Sequence, residues 1–277
     1  MFTLNCKGRL LSLDRPIVMG ILNLTPDSFY SGSRMETIDA LLSKAGQMLE
    51  EGATILDIGG QSTRPGSEAV TVGEELSRVI EPLCLLRARF PEAYISIDTY
   101  YGEVARQAAE AGADIINDIS AGSLDPGMIR EVARLKLPYV LMHMKGNPTG
   151  MKELAVYDNV ALEVFDFLSF RIAELQEAGI RDIIIDPGFG FAKTIAHNFE
   201  LLNKLEIFQL LERPLLLGLS RKSMVYRSLG ISPEESLNGS TVLHTVGLEK
   251  GAHIIRTHDV KETMQAIRLL EALGQKK

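Results

Sequence analysis

Glu177-Ala178-Gly179-Ile180-Arg181-Asp182-Ile183-Ile184-Ile185-Asp186 is one of four returns of a single phrase in this chain: a glutamate, one residue, a glycine, then an apolar run that closes on a polar side chain. The other three are Glu50-Glu51-Gly52 into Ile55-Leu56-Asp57, Glu110-Ala111-Gly112 into Ile115-Ile116-Asn117, and Glu249-Lys250-Gly251 into Ile254-Ile255-Arg256. Each glycine stands where a helix ends in the left-handed conformation, and each run has the length and β-branched content of a buried parallel strand. The phrase reads as a helix-to-strand corner. Parallel strands that feed helices bring their carboxyl ends to one rim, so Asp57, Asn117, Asp186 and Arg256 are expected to share a mouth.

Four further apolar runs, Ile17 to Asn23, Tyr94 to Asp98, Leu137 to His143 and Pro214 to Leu219, bring the expected strands to eight. Between the runs lie segments with helical period: Met35 to Glu51, Gly73 to Arg89, Tyr101 to Ala111, Pro126 to Arg134, Asp158 to Ala178, Ala196 to Lys204, Pro233 to Lys250 and Asp259 to Leu273. In the longest, Val160, Val164, Leu168, Ile172 and Leu175 recur at steps of three and four. Thr71-x-x-Glu74, Ser232-Pro233-x-Glu235 and Asp259-x-x-Glu262 read as capping boxes. Alternating strands and helices over 277 residues point to an α/β fold of the (β/α)8 TIM barrel type, one domain over residues 1–277. An open doubly wound sheet is the runner-up; it loses ground because no GxGxxG follows the first strand and no Pro-, Ser- or Gly-rich linker divides the chain. Alternating apolar residues around Lys7-Gly8 predict a hairpin that closes the other end of the barrel.

The net charge of -7 and the low aromatic content of 6% argue against a nucleic-acid-binding face, so an anion here requires a local cluster. No apolar run approaches the ~18 residues of a membrane span, and the first 16 residues, with Lys7, Arg9, Asp14 and Arg15, are unlike a secretory signal. A cytoplasmic protein is expected. Cys6 and Cys84 stand far apart without a CxxC and read as reduced thiols, not as a zinc site.

The residues at or just past the strand ends are Asn23, Asp57, Asp98, Asn117, His143, Asp186, Ser220 to Lys222, and Arg256 with His258. Any one of them alone reads as a helix cap or turn residue. Together they read as a ligand site, because Asp98 and Asp186 follow dry runs and a buried unpaired carboxylate costs several kcal/mol. The loop from Asn23 to Gly32 reads as a lid, and the loop from Gly59 to Ser67 offers hydroxyls, amides and Arg64 to an oxyanion. Arg221, Lys222, Arg256 and His258 gather positive charge after the last two strands, where this architecture often holds phosphate. An anion beside Asn and Asp also suits Mg²⁺, which takes oxygen ligands and substrate phosphates.

These segments carry a resemblance. Asn23-Leu24-Thr25-Pro26-Asp27-Ser28-Phe29, Asp57-Ile58-Gly59-Gly60-Gln61-Ser62-Thr63-Arg64-Pro65-Gly66, Ser96-Ile97-Asp98-Thr99, Ile116-Asn117-Asp118, Asp186-Pro187-Gly188-Phe189-Gly190-Phe191, Ser220-Arg221-Lys222-Ser223 and Arg256-Thr257-His258 resemble, in order, the signature segments of the dihydropteroate synthases. That family consists of TIM barrels, commonly homodimers, that join p-aminobenzoate to a dihydropterin diphosphate and release diphosphate in folate synthesis. The resemblance implies that Asp98, Asn117, Asp186 and Lys222 grip the pterin, with Arg256 covering its ring. It implies that Asn23, Arg64, Arg256 and His258 hold the diphosphate, with Mg²⁺ near Asn23, and that Phe29, Thr63, Pro65, Phe191 and Ser223 border p-aminobenzoate. Asp98, Asp186, Lys222, Arg256 and His258 would then carry catalysis: the cations and Mg²⁺ stabilise the departing diphosphate, and the carboxylates favour the pterin cation left behind. No protein nucleophile is required, in keeping with the lack of a Ser-His-Asp or Cys-His pattern. Small-molecule substrates are therefore the expected partners, with no nucleic acid or membrane, and the family is the target of sulfonamides.

This chain departs from many relatives at Gln61, where they carry glutamate, and at Ser31, where they often carry aspartate. Rival readings are the folate-binding domain of corrinoid methyltransferases, a non-catalytic pterin-binding protein and a phosphosugar barrel enzyme. The Thr63-Arg64-Pro65 loop together with Ser220-Arg221-Lys222 favours the synthase.

Overall fold

The computed structural model describes residues 1–24, 34–61, 70–151 and 153–274. All four corner phrases turn as expected. Gly52, Gly112, Gly179 and Gly251 have φ of 109°, 120°, 89° and 93°. In each, the glycine N–H reaches back to the carbonyl three residues before it, and the next N–H reaches the carbonyl five before. At the third corner these bonds are Gly179 to Gln176 at 3.0 Å and Ile180 to Leu175 at 2.9 Å. This is the Schellman termination, in which a left-handed residue satisfies two carbonyls that the helix end leaves open. The residue after each glycine, Ala53, Ala113, Ile180 or Ala252, is buried, so every corner also feeds the core.

The strands that follow are parallel. After a hairpin of β1 (Thr3–Cys6) and β2 (Arg9–Ser12) come β3 (Ile17–Asn23), β4 (Ile55–Gly59), β5 (Tyr94–Asp98), β6 (Ile115–Asp118), β7 (Tyr139–Met142), β8 (Ile183–Asp186), β9 (Leu216–Leu217) and β10 (Ile254–Thr257). Their spatial order is β8-β7-β6-β5-β4-β3-β10-β9, and a parallel bridge from Ile185 to Leu215 joins the two ends, so the sheet closes as a barrel. The α-helices outside it are α1 (Arg34–Glu51), α2 (Val72–Arg89), α3 (Gly102–Ala111), α4 (Met128–Leu135), α5 (Val160–Glu177), α6 (Ile195–Asn203), α7 (Ser223–Leu229), α8 (Leu237–Glu249) and α9 (Val260–Gly274). The stripe Val160, Val164, Leu168, Ile172 and Leu175 on α5 is buried as its spacing requires.

The period of two along each strand sorts the side chains. Val18, Leu56, Ile97, Ile116, Ile183 and Ile255 point outward into one apolar cluster with the helices. Ile17, Met19, Ile55, Ile115, Val140, Ile184, Leu216 and Ile254 point inward and form a floor, which Leu4, Cys6, Leu11 and Leu13 of the hairpin close from below. Lys7 and Gly8 at the hairpin tip have φ of 55° and 86°, the paired left-handed conformation of the tightest hairpins. Arg9 and Arg87 both donate to the buried Asp114, tying hairpin to barrel.

Some expectations need correction. Pro214 to Leu219 yields only the two-residue β9, since Leu215 pairs by a single bridge and its N–H turns to His253 Nδ1 at 3.2 Å. A 3-10 segment, Leu205–Leu211, and the seven-residue α7 are additional, both too short to show a period. Thr71 and Glu74 form a full capping box. Ser232 and Glu235 exchange the same bonds, but a 3-10 turn intervenes before α8. The Asp259 carboxylate accepts from Arg221.

Among the described residues, no atom beyond its chain neighbours lies within 4 Å of where a Cβ on Gly179 would stand, so Gly179→Ala tests the corner's backbone alone. It is expected to cost about 1–2 kcal/mol, read as a lowered urea midpoint at unchanged m-value. Gly112→Ala, whose Cβ would meet Arg87 Cγ at 3.0 Å, is expected to cost more.

Candidate active site

Above the floor, the same period of two carries the interior from Ile55 to Asp57, Ser96 to Asp98, Ile115 to Asn117, Ile184 to Asp186 and Ile254 to Arg256. Arg256 is the hub. Its Nε donates to Asp57 Oδ2 at 2.6 Å and its Nη2 to Asp98 Oδ2 at 2.7 Å. Asn117 Nδ2 donates to both oxygens of Asp57, at 3.3 and 3.2 Å. Asp57 is thus answered on both sides, whereas Asp98 Oδ1 is buried and has no hydrogen-bond partner among the described residues. Two carboxylates share one guanidinium. Burial pushes the Asp98 carboxyl up to about 7; Arg256 opposes the shift and Asp57 adds to it. At Arg256 burial disfavours the cation, but Asp57 and Asp98 outweigh that penalty and its pKa rises.

The opposite wall is built from the end of β8 and the turn before α7. Asp186 Oδ1 accepts the N–H of Gly188 at 2.7 Å, and burial raises its carboxyl against the pull of Lys222. Lys222 Nζ donates to the Phe189 carbonyl and stands 4.7 Å from the centre of the Phe191 ring. Burial draws this ammonium down to about 8 while Asp186, Arg256 and Asp98 all act on it, so Lys222 belongs to the same charged layer. At the rim, the Ser220 hydroxyl lies 3.0 Å from His258 Nδ1 and accepts the His258 N–H at 3.2 Å.

Asp98, Asn117, Asp186, Lys222 and Arg256 therefore come together, with His258 beside Ser220, Phe191 beneath Lys222, and Ser223 opening α7. Asn23 ends β3 half-buried, in register with Gly59. Phe29, Ser31, Thr63, Arg64 and Pro65 lie outside the described residues. Two expectations fail. Arg221, with φ of 55°, pairs with Asp259 instead of joining the anion cluster. His143 is not on the rim: it is buried, and its Nδ1 meets Lys193 Nζ at 2.9 Å. Asp57 stands at the mouth as its place in the first corner phrase requires, and Ser220 lies there among the strand-end residues, whereas for Lys193 no sequence pattern gives a signal. Gln61 accepts from Tyr100 Oη at 3.0 Å and donates to Glu75 Oε2 at 3.4 Å. Burial raises Glu75 to about 7, so a glutamate at position 61 would set a second carboxyl against a buried one, whereas the amide supplies a donor.

The sequence model of the pterin binding enzyme family matches residues 19–258. Dihydropteroate synthase of Escherichia coli K12 is 47% identical over 268 residues, covering 96% of this chain and 94% of its own. That of Bacillus subtilis is 41% identical over 265 residues, 95% of this chain and 90% of its own. Among solved structures, Xanthomonas albilineans dihydropteroate synthase with 4-aminobenzoic acid superposes with a TM-score of 0.93 at 44% identity over 99% of both chains. The same enzyme in complex with 7,8-dihydropteroate gives 0.90 at 42% identity, over 99% of this chain and 100% of that one. A Yersinia pestis dihydropteroate synthase with a sulfonamide drug gives 0.92 at 43% identity, over 98% and 99%.

The raised pKa of Asp98 fixes the sign of a stability effect. Folded protein holds a proton that the unfolded chain releases near pH 4, so this contribution is whole below about pH 4 and is lost as pH rises through about 7. Between pH 5 and 7.5, approximate limits of that window, the unfolding free energy of the ligand-free protein is expected to fall relative to that of Asp98→Asn. Denaturant titrations of both proteins across that range check it, and parallel curves would contradict it.

Proposed function

From the premise that this chain belongs to the pterin-binding enzyme family, within its dihydropteroate synthases of folate biosynthesis, we propose how its mouth performs the condensation of p-aminobenzoate with dihydropterin diphosphate. The single observation that carries the reading is the buried Oδ1 of Asp98, without a hydrogen-bond partner among the described residues, in a layer with Asp186, Asn117, Lys222 and Arg256. A pterin edge offers adjacent N–H donors, the chemistry that a buried carboxylate lacking a partner demands. Asp98 and Asp186 accept those donors, Asn117 and Lys222 complete the grip, and Arg256, held in plane by Asp57, covers the ring.

The proposed reaction is dissociative. The bond between the pterin methylene and the diphosphate oxygen breaks, and its electron pair leaves with the diphosphate. Arg256 and His258 receive the growing negative charge, with Arg64 and Asn23 completing the diphosphate site. The cation left on the pterin is spread over its rings and favoured by Asp98 and Asp186, in a site where fixed charges act strongly because water is scarce. The aniline nitrogen of p-aminobenzoate, bordered by Phe29, Thr63, Pro65, Phe191 and Ser223, attacks the methylene and loses its proton to water. Among the described residues no three His, Cys, Asp or Glu side chains converge as a metal cage. One neutral oxygen donor at Asn23 fits a Mg²⁺ that arrives with a diphosphate better than a resident metal. When bound, Mg²⁺ neutralises phosphate charge.

The proposal extends to a cytoplasmic homodimer. Among the described residues no helix is long and apolar enough to cross a membrane, and the exposed Val242 and Leu269 on α8 and α9 favour pairing of two copies there. Diphosphate release that depends on p-aminobenzoate tests the reaction. Asp186→Ala and Lys222→Ala are each expected to lower turnover by on the order of 10²–10³-fold or more. Release without p-aminobenzoate, or near-normal rates in both variants, would contradict these roles.

A further inference from the structure

Lys193 is 9% exposed, and none of its three hydrogen-bond acceptors is a carboxylate. Its Nζ reaches the Gly188 carbonyl at 2.9 Å, the Phe191 carbonyl at 3.1 Å and His143 Nδ1 at 2.9 Å. An ammonium has three hydrogens, and here each has one neutral acceptor. Burying a cation in this way costs several kcal/mol, and a residue serving only to fill space would do so more cheaply as methionine. Burial pulls Lys193 well below the usual lysine range, against the pull of Asp186, and draws His143 down to about 2, with Lys193 adding to that shift. His143 is therefore neutral, and Nδ1 is the ring nitrogen that faces Lys193.

What Lys193 holds is a strained turn. Gly188, Gly190 and Ala192 have φ of 72°, 81° and 48°, three left-handed residues at alternate positions, and the alanine pays a steric cost that a glycine would not. The turn is pressed onto its neighbour so closely that a Cβ on Gly188 would lie 1.9 Å from the His143 carbonyl oxygen. Everything the β8 wall contributes to the site hangs from this turn: the Gly188 N–H on Asp186, the Phe189 carbonyl on Lys222 and the Phe191 ring below the Lys222 ammonium. Asn198 pins its middle by accepting the Gly190 N–H at 2.7 Å.

We propose that Lys193, seated on His143, is a positioning residue that locks the Gly188–Phe191 turn so that Asp186, Lys222 and Phe191 meet the substrates in register. The inference rests on the synthase reading for its kinetic consequence but not for its structural one. Asp98, Asn117, Asp57 and Arg256 stand on other strands and keep most of their hold on the pterin, whereas Phe191 gives its own carbonyl to Lys193. Loss of the lock therefore falls on kcat and on the KM for p-aminobenzoate more than on the KM for the pterin substrate.

The test compares Lys193→Met, Lys193→Arg and His143→Phe with the wild type, all as full-length protein. Lys193→Met is expected to remain folded and to lose on the order of 10²-fold in kcat, as misplacement of catalytic groups by about 1 Å does. Its KM for p-aminobenzoate should rise about tenfold while the pterin KM moves less than about threefold, and Lys193→Arg should recover part of the loss. Amide hydrogen exchange at Gly188, Gly190 and Phe191 should quicken by about tenfold or more in Lys193→Met, a readout independent of turnover. If Lys193→Met does not fold, His143→Phe, which removes one acceptor, must show the same split and the same quickened exchange in smaller measure. A folded Lys193→Met with wild-type kinetics and exchange overturns the proposal, as does a variant that only lowers the melting temperature. Absence of turnover in the wild type would count against the synthase reading alone, because the exchange result stands without it.

Discussion

One guanidinium serving two buried carboxylates sets the terms for the rest of this molecule. A closed eight-stranded barrel has an interior that must be filled, and the alternation along each strand decides what fills it. Through the lower layer the filling is aliphatic. One step up, Asp57, Asp98, Asn117, Asp186 and Arg256 replace it, and the charge there does not cancel locally, because Asp57 and Asn117 satisfy one another while Asp98 keeps an oxygen that none of the described residues answers. Such a layer is a poor contributor to stability and a well-prepared receptor for a planar molecule with N–H groups on its edge. The barrel tolerates it because the floor, the outer apolar cluster and the hairpin plug carry the fold without it.

The architecture was legible because it is written locally and repeated. A glycine that must take positive φ, a following apolar residue and a β-branched run made the corner readable four times, and the structure turns each with the same pair of backbone bonds. The residue that closes each run was legible for the same reason, since a period of two leaves no choice about which side of a short buried strand it faces. β9 was harder: the apolar run Pro214 to Leu219 marks a strand, but only Leu216 and Leu217 join the ladder, against β10, and the other side holds by the single bridge at Leu215.

In the site, the residues at strand ends were readable and those that act through three-dimensional pairing were not. Arg221 and Lys222 are adjacent in sequence and alike in charge, yet the left-handed backbone at Arg221 sends one guanidinium to Asp259 and leaves the other cation inside the mouth. His143 lies one residue past the end of β7, where Met142 is in register with Asp186, so it stands one step out of phase with the interior positions Val140 and Met142, and it is drawn into the wall to meet Lys193. Lys193 itself lies between β8 and α6, in the turn that follows Phe191. Its burial follows from three acceptors brought together by two strands and a strained loop, which no local pattern encodes.

The central claim is that Asp98 waits, partly protonated, for donors that a pterin brings. Calorimetric titration of a dihydropterin into the protein near pH 6.5, repeated in buffers of different ionisation enthalpy, measures it directly through the protons exchanged on binding, since a carboxyl that titrates near 7 gives up its proton when it must accept. The account predicts net proton release by the wild type that disappears in Asp98→Asn. Equal proton exchange by the two proteins would contradict it.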